Sequence, residues 1–259
     1  MSDKPKIFDG TQLGLWKPQR IADFHLPSSK QPSSEAPGTL IGDEAEMACG
    51  FYGYGRWDAP YWFIGPEPGG ENNALRAEMW IRLGQRELCD CREFHISIGE
   101  MRWHFKRPKP DLQRTWRPLI LLLMTFLREP STEEPAQNGR LRELIREYQR
   151  TEWGMVAGQT CVIELSGLSA KKKKAGQAIH FLDERIQRIR EMVQHHRPRF
   201  VVMYGVEESP FWERIAGCAL VRDKVKRSGD TLFLFTSHPQ DHGKKDIVWK
   251  ELGKMLCEA

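Results

Sequence analysis

Two short segments carry the side chains best suited to chemistry. In residues 61–70, YWFIGPEPGG, an apolar run stops at a turn that displays Glu67 between Pro66 and Pro68, beside Gly65, Gly69 and Gly70. In residues 231–241, TLFLFTSHPQD, another apolar run stops at His238 and Pro239. A carboxylate that orients or deprotonates water, and a histidine that donates a hydrogen bond or a proton, make an acid–base pair when held together. Singly, a glutamate is most often a solvated turn residue and a histidine a cap or loop residue. Each ends a strand, however, and strand carboxyl ends border the functional crevice of an open α/β sheet. The surrounding glycines would let backbone approach a ligand closely.

The elements that must position this pair follow from periodicity. Residues 61–64, 160–165, 200–204 and 232–236 are short apolar runs stopped by turn residues, as buried strands are. Residues 72–83, 140–150, 178–195 and 246–257 repeat apolar side chains at helical spacing, and 118–127 is an apolar helix throughout, hence buried. A short helix is expected around 211–215, followed by a basic hairpin-like stretch. Strands alternating with helices predict an α/β fold, a three-layer α/β/α sandwich with a central four-stranded, mainly parallel sheet. Residues 1–45, with Pro5, Pro18, Pro27, Pro32, Pro37 and clustered serines, read as an extended, partly ordered arm. Residues 46–259 form the domain, with a basic insertion at 94–150 whose 94–115 stretch looks irregular.

Composition excludes several classes. With 259 residues, 40% apolar and 29% charged, the chain is an ordinary globular protein of about one domain. The net charge of +4 permits a basic face without requiring one. The longest apolar run is too short for a bilayer, and the MSDKPK start lacks the apolar core of a secretory signal, so a cytoplasmic protein without membrane contact is expected. Gly53 and Gly55 lack the third glycine of a dinucleotide fingerprint, and neither a phosphate-binding loop nor a nucleophile elbow occurs. The six cysteines read as free thiols. Cys89 and Cys91, with Cys49, His95 and His104, are potential metal ligands, but C-x-C falls short of paired C-x-x-C and no metal is expected.

The order strand–GPEPGG, strand–CVIEL, strand–VVMYG, strand–LFLFTSHPQ resembles the uracil-DNA glycosylase superfamily over about residues 61–257. That family's first motif takes the forms G-x-D-P-Y, G-E-x-P-G or G-x-N-P-G, and its last strand ends in His-Pro. The resemblance implies that Glu67 orients the attacking water and that His238 hydrogen-bonds the base carbonyl and stabilises the anionic leaving group. It implies a base site lined by Gly65, Pro66, Pro68, Gly69 and Ser166, with Trp80 either stacking on the flipped base or lying in the core of its helix. Glu164 stands where the family often carries an asparagine that reads uracil. A carboxylate only accepts hydrogen bonds, and Pro66 removes a backbone donor, so the pattern does not match plain uracil. No cofactor is implied, and the cysteine spacing does not reproduce the family's iron–sulfur pattern.

The expected activity is hydrolysis of the N-glycosidic bond of a flipped, deaminated or damaged base in DNA. The alternative is an inactive DNA- or nucleotide-binding module of the same fold. A serine hydrolase using Ser237 or Ser166 fits less well, because Ser237 and His238 are adjacent and alternate residues of a strand face opposite sides. The partner is DNA, possibly single-stranded, and no protein partner is indicated. Lys171, Lys172, Lys173 and Lys174 follow a strand end, Lys244 and Lys245 follow the His-Pro turn, and residues 102–117 interleave Arg and Lys with aromatics.

Overall fold

The computed structural model describes residues 42–66, 72–105, 109–133, 139–169, 181–241 and 245–259. They form a mixed α/β structure of eight α-helices and one seven-stranded sheet. The chain runs through α1 (Asp43–Gly50), β1 (Gly53–Tyr54), β2 (Tyr61–Gly65), α2 (Asn73–Arg82), β3 (Leu88–Cys89) and α3 (Cys91–Ser97). It continues through α4 (Trp116–Phe126), α5 (Arg140–Thr151), β4 (Thr160–Glu164), α6 (Leu182–His196) and β5 (Phe200–Tyr204). It closes with α7 (Ser209–Ala216), β6 (Val225–Ser228), β7 (Thr231–Thr236) and α8 (Asp246–Glu258).

The strand order is β3-β1-β4-β2-β5-β7-β6. The four strands expected from sequence, β4, β2, β5 and β7, lie side by side and parallel at the centre. The expected strand number is corrected from four to seven among the described residues. β1 joins β4 antiparallel and carries β3 beside it, while β6 pairs antiparallel with β7. β1 and β3 escaped the sequence because they have two residues each and offer no apolar run, while β6, mostly exposed, falls in the stretch read as hairpin-like.

Alternation sorts each central strand onto two cores. Phe63, Val162, Phe200, Val202, Leu232 and Leu234 face a cluster completed by α1 to α5 and α8. Trp62, Ile64, Cys161, Ile163, Val201, Met203 and Phe233 face another, completed by α6 and α7. Strands apolar on both faces are those buried on both faces. α4 is apolar all round because sheet, α5 and α8 surround it. Gly253 allows the closest approach, since a methyl there would sit 2.5 Å from the Leu122 carbonyl oxygen of α4.

The insertion is more ordered than its composition predicts. α3 starts at an Asp90 cap whose carboxylate accepts from the Arg92, Glu93 and Val156 amides. A 3₁₀ turn, Met101–Trp103, follows. Among the described residues of 102–117, aromatic and basic side chains serve packing and ion pairing. Trp116 is buried, Trp103 packs on the core under the Arg102 guanidinium at 4.3 Å, Lys109 pairs with Glu143, and Arg117 forks onto Asp246.

Candidate functional site

The connectivity defines where the sheet opens. β2 leads to β4 on one side, and β5 leads to β7 on the other, so the crossovers diverge between the adjacent strands β2 and β5. Ligands of open α/β sheets bind outside the carboxyl ends at such a switch point. Here those ends are Gly65–Pro66 of β2 and Tyr204–Gly205 of β5, flanked by Glu164 of β4 and Thr236–His238 of β7. Gly65, Glu164, Tyr204 and Thr236 fall two residues beyond members of one core cluster and share its face. Register places Gly65 opposite Glu164, and Tyr204 opposite Thr236.

Two main-chain bonds hold the first turn against β4. The Leu165 amide donates to the Gly65 carbonyl at 2.8 Å, and the Ser166 amide to the Pro66 carbonyl at 2.9 Å. The Ser166 hydroxyl is turned onto its own loop, donating to the Leu168 carbonyl and accepting from the Leu168 amide. This engagement leaves Ser166 poorly placed as a nucleophile. Below the turn, Arg185 is buried and donates to the carbonyls of Leu165, Glu164 and Ala48 while stacking 4.2 Å from the Tyr52 ring. Burial lowers its pKa to about 10. This guanidinium clamps the end of β4 and the α1 turn to α6, a role the sequence did not reveal.

Gly65 admits a side chain. A methyl at this position would sit 2.6 Å from Tyr204 Cε2, and nearer still to Cζ and Oη. The Tyr204 phenol therefore fills the room that a glycine seemed to hold for a ligand. The same ring meets His238 edge-on, with centroids 5.5 Å apart. Burial first, and the Glu164 charge second, push the Tyr204 phenol well above its ordinary pKa. Tyr204 is thus the central aromatic of the strand ends, and period-two counting back from it along β5 is the signal that could have found it.

His238 sits in a tight turn. Its amide donates to Asp241 Oδ2 at 2.9 Å, the Asp241 amide donates back to its carbonyl, and its Nδ1 accepts from the Gln240 amide at 3.1 Å. With Nδ1 accepting, the neutral imidazole carries its proton on Nε2. The Gln240 side chain in turn donates to the Thr115 hydroxyl, tying this turn to the start of α4. Glu164 is buried, and its charge is felt by both the Tyr54 and Tyr204 phenols. A further buried acid that the sequence reading passed over, Glu208, lies at the other side of the switch point. Its Oε2 occupies the space over Gly205, whose φ of +115° suits glycine.

The remaining sequence expectations divide. Trp80 takes the core position of its two readings, 3% exposed, its indole N–H donating to the Arg86 carbonyl and its ring under Gly50. Ala77 and Trp80 form the inward face of α2, so tertiary packing claims the indole. Lys245 is exposed beside the start of α8. Glu67, Pro68, Gly69, Gly70, Lys171, Lys172, Lys173, Lys174 and Lys244 lie outside the described residues. All six cysteines are free thiols, and no described helix is long and apolar enough to cross a membrane. Comparison of the chain with protein-family models and with curated proteins finds no match.

Proposed function

We propose that this chain is a DNA glycosylase that hydrolyses the N-glycosidic bond of a damaged or deaminated base flipped out of DNA. The observation that carries the reading is the arrangement at the switch point. His238 and Tyr204 stand ring to ring beside Gly65–Pro66, and Glu67 is the next residue along the chain. On this reading the three-layer α/β/α sandwich serves as scaffold, and a base is flipped because its glycosidic bond is unreachable inside the stack. Glu67 orients water toward the sugar carbon. The Nε2 proton of His238 meets the base oxygen as negative charge develops on it. Tyr204, in place of Trp80, supplies the ring against which the base packs.

One observation favours a second reading, a binding module without chemistry. The phenol over Gly65 and the buried carboxylate of Glu164 both occupy places where a uracil would need room and an amide partner. The deciding assay incubates the protein with oligonucleotides carrying uracil, hypoxanthine, xanthine or an alkylated purine and measures alkali-labile breaks. Breaks that disappear in Glu67→Gln and fall in His238→Ala support the enzyme. DNA binding without breaks, unchanged in Glu67→Gln, selects the binding module.

A further inference from the structure

Away from the strand ends, three side chains with metal-binding atoms meet in the interior. Cys91 opens α3, His95 lies one turn later on the same helix face, and His104 follows the 3₁₀ turn. One donor atom from each lies within 4.8 Å of the other two, and all three residues are buried. The two remaining cysteines of the sequence's ligand set fall outside this group: Cys49 is exposed and Cys89 belongs to β3.

We propose that Cys91, His95 and His104 bind a single zinc ion, independently of the function assigned to the strand ends. The observation that points to a ligand is His104. It is 1% exposed, and both of its ring nitrogens are buried without a hydrogen-bond partner. A buried polar group left unmatched is costly, and such groups are matched in nearly all native structures. A metal would match one nitrogen. His95 is prepared in the manner of a ligand, with Nδ1 donating to the Cys91 carbonyl at 2.6 Å, the bond that orients metal-bound imidazoles elsewhere.

Scale and chemistry agree with zinc. Zn–S near 2.3 Å and Zn–N near 2.05 Å give a tetrahedral S···N edge of roughly 3.6 Å. The three donor atoms lie within 4.8 Å of one another, a spacing that a bound ion would close to that edge. A thiolate with two imidazoles suits zinc far better than magnesium or calcium, which take oxygen ligands. Uptake releases the Cys91 thiol proton to solvent as the Zn–S bond forms. The three protein donors leave one tetrahedral position for a further ligand. The scaffold is fixed before the ion arrives, because the Asp90 cap and the Cys91 amide, donating to Gly154, set the start of α3. Trp116 and Tyr54 wall the rings at 5.4 and 5.2 Å from His95.

The test uses the full chain. Purified protein stripped of metal is mixed with one equivalent of zinc or cobalt(II), gel-filtered, and its bound metal measured by mass spectrometry. The expected result is about one ion per chain, with a thiolate-to-cobalt absorption band in the cobalt form. Cys91→Ser should lose the band and Cys49→Ser should keep it. As a readout independent of the folding of Cys91→Ser, the unmodified protein is also heated with zinc or with magnesium, and only zinc should raise its unfolding temperature. Uptake below about a tenth of an equivalent by the unmodified protein overturns the proposal. So does a cobalt band that persists in folded Cys91→Ser, or a thermal response equal for the two metals.

Discussion

Gly65→Ala separates steric from conformational roles at the strand ends. Gly65 has no positive φ, so alanine adds a methyl without backbone strain. That methyl would sit 2.6 Å from Tyr204 Cε2, where ordinary contact begins near 3.4 Å, so the ring must retreat by roughly 1 Å. Tyr204 is 3% exposed and packed edge-on against His238, which leaves little room to give. Overpacking of this kind costs about 1–3 kcal/mol, a fall in melting temperature on the order of 2–4 °C for each kcal/mol. Tyr204→Ala alone costs a further ~3–5 kcal/mol as a cavity. In Gly65→Ala/Tyr204→Ala the clash is gone, so the double variant should be more stable than the sum predicts by about 1–3 kcal/mol. Tyr204→Phe should not rescue, because Cζ and Cε2 remain. Urea unfolding followed by circular dichroism gives each midpoint and slope. Additivity within about 0.5 kcal/mol would refute the packing of the phenol over Gly65.

Two further outcomes follow from the same neighbourhood. Arg185→Ala should cost about 3–5 kcal/mol, since it strands the carbonyls of Leu165, Glu164 and Ala48, whereas Arg188→Ala should cost under about 1 kcal/mol because its pair with Glu87 is half exposed. Equal losses in paired urea melts would show that Arg185 is no clamp. Glu164→Asn should raise breakage at uracil relative to the other bases by roughly tenfold, since an amide can donate as well as accept; an unaltered ranking places Glu164 outside base reading.

How far the sequence reached depends on burial. The four central strands are buried on both faces, so their apolar runs and glycine or proline stops mark them without tertiary knowledge. α2 announces itself through Asn72, whose side chain accepts from the Leu75 amide. The short strands and α3 were hidden because pairing and an Asp90 cap create them, and neither leaves a periodic trace. Tyr204 was hidden for a subtler reason. An aromatic ending an apolar strand looks like core until its neighbour proves to be a glycine. His104 was noticed only as one of several possible ligands. What distinguishes it is a buried ring without a hydrogen-bond partner, a property of packing and not of spacing.

The acids around the crevice bear on what could leave from it. An anion forming about 5 Å from ionised Glu164 would be opposed by roughly 3 kcal/mol at an effective dielectric near 20. That is a large share of what one well-placed hydrogen-bond donor, such as His238 Nε2, contributes to a developing negative charge. Uracil departs as an anion and so meets both effects with opposite sign. A base that carries positive charge before cleavage is attracted by Glu164 when it binds, and that attraction is lost as it departs neutral, so the carboxylate favours capture of such a base and not its departure. On the glycosylase reading, the combination of Glu164 with a removed backbone donor at Pro66 therefore selects a cationic or donor-rich base at the binding step. This is why the alkylated purine belongs beside uracil in the same assay.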